Sequence, residues 1–394
     1  METRTSSSQG IPSAAASARL LFVDNLRWLM IVLVVTVHAS VTYSRIGSWY
    51  YYEPTNPGPL SLLAFAFYES HLQAFFMGLL FLIAGYFVPG SFDRKGARRF
   101  MADRGVRLGI PAALYALVIQ PLINDCVLKF PRLAPLPSVL RSYWTYLASL
   151  RFLSGTGPLW FALALLIFSG IYALGRLATG SMVRSQADGK LPSHAAVGLL
   201  IGAISVSTFI VRLVQPIGTD ILNMQLCFFS QYIVLFGVGI VACRRNWLLR
   251  IPHDFGVFWF RSALIVGPPL WLAMILGGGA KSGDWSPYTG GLHWKSAVAC
   301  FWESFFCVGI CLGLLVIFRD RFNRQGRLAR FLSENAFAVY VFHPPILIAL
   351  SLALHGLALA ALWKFLFLSG ASLAVCFLTS HYVIRRVPGL RSIV

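Results

Sequence analysis

Leu20–Tyr43 reads LLFVDNLRWLMIVLVVTVHASVTY. At about 1.5 Å per residue a helix of this length crosses the roughly 30 Å hydrocarbon layer of a bilayer. It is also about twice the length of a signal-peptide core, and no small-residue cleavage site follows, so it is expected to be an uncleaved anchor. Two residues in it are out of place in lipid, Arg27 and His38. Ionisable groups at membrane depth are costly and mark functional sites by default. Eleven residues of helix bring His38 back to within roughly 20° of the Arg27 face, about 16 Å further along the axis. The two therefore look into one cavity from different depths. Asp24 lies three residues before Arg27, a spacing at which a carboxylate and a guanidinium meet on one helix face. Two readings stand for Arg27, a positioned site residue or a cation snorkelling to the interface. For His38 they are a site residue or an interhelical hydrogen-bonder.

The composition extends this reading to the whole chain. Of 394 residues, 57% are hydrophobic and 12% charged, with a mean hydropathy of +0.70. That leaves too little polar surface for a soluble globule and predicts an all-α polytopic bundle of transmembrane helices. About ten apolar runs are long enough to span, near 20–43, 60–88, 108–127, 157–177, 193–214, 223–243, 257–276, 296–318, 331–352 and 362–384. The Lys and Arg residues of the net +19 charge fall between the runs rather than along one amphipathic face, which argues topology and not nucleic acid. With both termini cytoplasmic, 22 of them lie inside and 9 outside, satisfying the positive-inside bias. The exception is 128–156, where Lys129, Arg132, Arg141 and Arg151 fall outside; its aromatic residues suggest a helix lying in the interface. The expected organisation is a disordered cytoplasmic tail 1–19, one membrane domain 20–385, and a short cytoplasmic tail 386–394. Seven cysteines, nearly all in apolar runs and none in a CxxC pattern, indicate neither a disulfide framework nor a zinc site, and no metal is expected.

Further candidates lie along the chain. Arg104 and Arg107 stand at i, i+3 at the entrance to the third run. Two guanidiniums on one face can clamp a phosphate or pyrophosphate; ordinary positive-inside charge is the other reading. In SENAFAVYVFHPP, residues 333–345, Tyr340 and His343 share a face, and Pro344 and Pro345 remove backbone donors and predict a local break beside His343. Glu69 and Glu303 are acids within apolar runs, each a candidate for the cavity or for pairing with His71 or another helix's cation. Phosphate loops, dinucleotide fingerprints, HExxH and nucleophile elbows are absent, which argues against ATP-driven chemistry.

Four ordered elements resemble the acyltransferase 3 family of integral membrane acyltransferases. The first is LLFVDNLRWLMIVLVVTVH, with its Asp-x-Leu-Arg element and the His that follows Arg27 after ten residues. The second, FFMGLLFLIAGYFVPGSFDRKGARRFMADRGVRLGIP, holds Arg104 and Arg107 as the Arg-x-x-Arg element; GPLWFALALL and LSENAFAVYVFHPP complete the set. The resemblance covers essentially the whole chain and is nearest to members that succinylate or O-acetylate glycans. It implies transfer of an acyl group, acetyl, succinyl or similar, from acyl-CoA to a hydroxyl of a sugar, glycan or other small acceptor, in a bacterial inner membrane. His38 would act as general base, Arg27 oriented by Asp24 would stabilise negative charge, and Arg104 and Arg107 would hold the CoA phosphates. Glu303, His343, Tyr340 and Glu69 remain second-tier cavity residues. A secondary transporter or exporter of an anionic metabolite is the alternative, although the inverted repeats common in transporters are not visible.

Overall fold

The computed structural model describes residues 19–54, 56–130, 132–180, 189–277 and 285–390. The expected tail 1–19 thus lies outside the described residues except for Arg19, as do 391–394 of the carboxy-terminal tail. Eleven helices organise the rest: α1 Leu21–Ser44, α2 Pro59–Arg104, α3 over 105–127, α4 Leu136–Ala148, α5 Trp160–Thr179, α6 His194–Arg212, α7 Phe229–Arg244, α8 His253–Gly277, α9 Trp294–Arg321, α10 Arg327–Leu354 and α11 Ala361–Tyr382. No strand occurs among the described residues, and the chain is an all-α polytopic membrane bundle.

Nine helical stretches among the described residues are long and apolar enough to span, and one of them, Pro59–Val127, is 69 residues long. At 1.5 Å per residue that is about 100 Å, more than three bilayer thicknesses. It carries both the second and third expected runs. The break falls at Gly96, whose φ of 70° and ψ of 166° are not helical and which glycine adopts without the penalty a Cβ imposes. Beyond it, three π-turns at Gly105–Gly109, Tyr115–Ile119 and Ile123–Val127 widen α3 around Pro111 and Pro121, whose missing N–H groups leave carbonyls a preceding turn cannot satisfy.

Hydrogen bonds fix which helix ends share a face. On the basic face Asp93 of α2 pairs with Arg176 of α5 at 2.9 Å and Arg244 of α7 at 2.6 Å. There too Asn25 of α1 donates to the carbonyls of Phe322 and Arg324 between α9 and α10. On the opposite face Glu53, after α1, meets Lys364 of α11, and Asn223, before α7, donates to Gly157 O, before α5. α1 is the hub, packed against α2, α9, α10 and α11, which is why so much of it is buried despite its polar residues.

Candidate active site

His38 lies near the opposite-face end of α1 and His343 in the middle of α10, and packing of these two helices brings the rings together. His38 Nδ1 is 2.9 Å from His343 Nε2, with the rings nearly parallel and 5.1 Å apart. His343 is fully buried, and its Nδ1 sits 2.9 Å from the Tyr340 carbonyl. A carbonyl only accepts, so His343 Nδ1 carries the proton and donates it. In the neutral pair His343 Nε2 is then the acceptor, and His38 Nδ1–H donates to it. The remaining lone pair of the relay is on His38 Nε2, which has no hydrogen-bond partner among the described residues and is not sealed from the surface.

A strap, described over residues 45–54 and 56–58, covers His38 on the opposite face. Trp49 stacks on the imidazole at 4.1 Å and 12°. Beside it, Tyr50 donates to Gln120 and shares a 2.9 Å hydrogen bond with Tyr115. The strap is latched at Glu53, whose N–H bonds Thr42 O and whose carboxylate takes Lys364 Nζ at 2.8 Å and Tyr51 OH at 2.9 Å. Burial alone would push Glu53 up, but the hydrogen bonds from Lys364, Tyr51 and His355 outweigh it and hold the carboxyl below its ordinary value. Behind the pair, Tyr340 OH donates to Pro158 O in the turn before α5. There Gly157 has φ +48°, and a Cβ on it would strike Tyr115 and the Tyr50 hydroxyl.

The cations gather at the other end of α1. Arg27 pairs with Asp24 at 3.2 Å and lies over Phe87, 4.7 Å from its centroid. Asp24 is shared with Arg19 at 2.6 Å. Arg104, over Phe100, is within electrostatic reach of both Arg107 and Arg27. The structure thus brings Arg27, Asp24, Arg104 and Arg107 together at the basic mouth, and His38, His343 and Tyr340 together some 16 Å deeper.

The two acids stand elsewhere. Glu69 accepts from Ser40 at 2.5 Å and Ser44 at 2.7 Å on the outer end of α1, and its second oxygen is buried without a partner. It does not pair with His71, which sits among Phe67, Trp271, Trp302 and Phe306 and donates to Phe67 O. Glu303 is bound to Arg212 at 2.6 Å in a buried ion pair flanked by Phe228. Trp49, Tyr50, Tyr115, Gln120 and Arg212 were not expected from the sequence; the aromatic run SWYYYEP, 48–54, was the visible signal for the first two. Among the described residues no three His, Cys, Asp or Glu side chains cluster as metal ligands.

A bundle with nine helical stretches long and apolar enough to span among the described residues, an imidazole pair in its interior and a cationic mouth defines an integral, multi-pass membrane protein. Residues 20–381 match the family model described as an acyltransferase domain, so the chain belongs to the acyltransferase 3 family. It is a membrane acyltransferase, an enzyme that transfers acyl groups other than amino-acyl groups. No curated protein and no solved structure matches it.

Proposed function

We propose that the protein transfers an acetyl, succinyl or similar group from acyl-CoA to a hydroxyl of a sugar, glycan or other small acceptor, in a bacterial inner membrane whose cytoplasm faces the basic mouth. One observation carries the reading: the His343–His38 relay leaves its single free lone pair on His38 Nε2. That nitrogen takes the proton of the acceptor hydroxyl as its oxygen attacks the thioester carbonyl. The C–S bond breaks, and the imidazolium returns the proton to the leaving CoA thiolate. The products are an ester and free CoA. General-base catalysis of this kind contributes typically ~10²- to 10⁴-fold.

At about 16 Å along the axis, Arg27 is too far from His38 to touch the reacting carbonyl. Its charge therefore serves the donor's phosphates together with Arg104 and Arg107, where guanidiniums bind bidentately. The extended pantetheine arm would bridge the gap, and the acceptor would come from the opposite face, past the strap.

The test is CoA thiol release by the purified protein in nanodiscs with a panel of acyl-CoAs, beside His38→Ala and Arg27→Ala. Turnover lost with donor binding kept in His38→Ala, and donor binding weakened in Arg27→Ala, is the expected result. Transmembrane flux of an anion without thiol release would overturn the proposal.

A further inference from the structure

A groove on the opposite face lies between the end of α3 and α4, has a volume of about 540 Å³, and is lined among others by Asp125, Lys129, Arg141, Ser142, Tyr146 and Arg151. Its charge is the first anomaly. Lys and Arg are depleted from the outer side of membrane proteins, yet here three line one depression, Lys129, Arg141 and Arg151. The single acid does not balance them. Asp125 is already taken by Lys129 at 2.6 Å and by Ser142 at 3.2 Å. Arg141 and Arg151 meet no carboxylate among the described residues, and both are exposed.

The second observation is where the groove leads. Tyr146 lines it and donates to Ala116 O at 2.8 Å, inside the wall of α3. Gln120, next in sequence to the lining residue Pro121, accepts from Tyr50. Tyr50 meets Trp49 edge-on at 5.1 Å, and Trp49 stacks on His38. Gln120, Tyr50 and Trp49 thus form a continuous chain of contacts from the wall of the basic groove to the proposed base.

We infer that this groove is the acceptor's docking site and that the acceptor is anionic, its carboxylate or phosphate held by Arg141 and Arg151 while a hydroxyl reaches past Tyr50 to His38. This rests on the acyltransfer reading above and names the acceptor's chemical class. Arginine pairs suit both anions because each planar fork presents two parallel donors. A lipid headgroup phosphate offers the same chemistry, and the test separates the two sources.

The protein is placed in phosphatidylcholine nanodiscs and probed with trigalacturonate beside its fully methyl-esterified form, and with glucose 6-phosphate beside glucose. Equilibrium binding is measured first, without any acyl donor. Wild type is expected to bind at least one anionic probe about tenfold or more tightly than its neutral partner, with Arg141→Gln/Arg151→Gln abolishing the difference. Equal binding of both pairs by wild type, or a preference unaltered in the variant, overturns the inference. A second arm adds phosphatidylglycerol to the discs. If the variant loses retained phosphatidylglycerol but keeps the probe preference, the groove is a lipid site and the inference fails. Acyl-CoA-dependent thiol release, measured without acceptor and with each probe, reports separately on the parent reading. Its absence with anionic-probe binding intact would overturn acyl transfer while leaving the anion site, and normal release with no probe discrimination would do the reverse.

Discussion

Replacing His343 with leucine removes the acceptor for His38 Nδ1–H while keeping an apolar side chain in a fully buried position. His38 then has a donor with no partner beside Trp49, and its free nitrogen is no longer held in one tautomer. Leaving a buried donor unsatisfied costs about 1–3 kcal/mol. At 1.4 kcal/mol per factor of ten, this corresponds to a fall in kcat of about 5- to 150-fold if the whole penalty falls on the reactive orientation. His343 touches neither substrate in this scheme, so the KM for acyl-CoA is expected to stay within about twofold of wild type. His343→Gln supplies a side-chain oxygen that accepts the same proton, so it should recover part of the loss. His38→Ala removes the base itself and should cost about 10²- to 10⁴-fold. Because the two act as one unit, His38→Ala/His343→Leu should be no slower than His38→Ala alone. The assay is CoA thiol release in nanodiscs, with melting temperature and donor binding as checks on folding. A well-folded His343→Leu enzyme with wild-type kcat, or additive losses in the double variant, would refute the relay.

Arg104→Gln and Arg107→Gln are each expected to raise the acyl-CoA KM about tenfold with little change in kcat, and to flatten the dependence of donor affinity on salt; titration with acyl-CoA at several ionic strengths checks this. Lys364→Met leaves Glu53 charged and buried, so it should cost about 3–5 kcal/mol in thermal unfolding, and more than Lys364→Met/Glu53→Leu. Glu53 sits below its ordinary value, so the latch stabilises the strap fully above the unfolded-state carboxylate pKa near about 4.3 and loses this as pH falls through the lower folded value. Limited proteolysis of the strap should accordingly accelerate only in acid below about pH 4, and not between neutral and mildly alkaline pH. Gly157→Ala should destabilise by about 1–3 kcal/mol and lower kcat, since the new Cβ meets Tyr115 and Tyr50 in a backbone conformation that disfavours it; a thermal shift beside activity measures both.

The spans were legible because crossing lipid demands long apolar runs, whereas the fusion of the second and third runs into one helical course was not. Gly96 is one of 34 glycines, and nothing local distinguishes a break that keeps the chain helical on either side from one that begins a loop. Asp24 and Arg27 were legible as a pair because three residues of helix fix their separation. His38 and His343 were each visible as imidazoles in apolar runs, but their 305-residue separation in sequence makes their contact a property of how α1 and α10 pack. Arg212 stands at the end of the apolar run 193–214, where a flanking charge is ordinary and gives no local sign of a partner. The structure instead draws it inward to Glu303, because an acid in the core needs a cation more than a helix end needs a lysine or arginine.

The two buried ion pairs also explain how the site around the histidines comes to be neutral. Glu303 is held by Arg212 and Glu53 by Lys364, and Glu69 is bonded to the α1 hydroxyls. Among the described residues no carboxylate is hydrogen-bonded to either imidazole of the pair, and the relay ends on a backbone carbonyl. A carboxylate at that end would stabilise an imidazolium on His38 and let the charge persist. A carbonyl fixes the tautomer without storing charge, so a proton taken from the acceptor hydroxyl has one favourable destination, the departing thiolate. The relay thus orients the base and favours rapid return of the proton, which suits a thioester donor whose leaving group needs only that proton to become CoA.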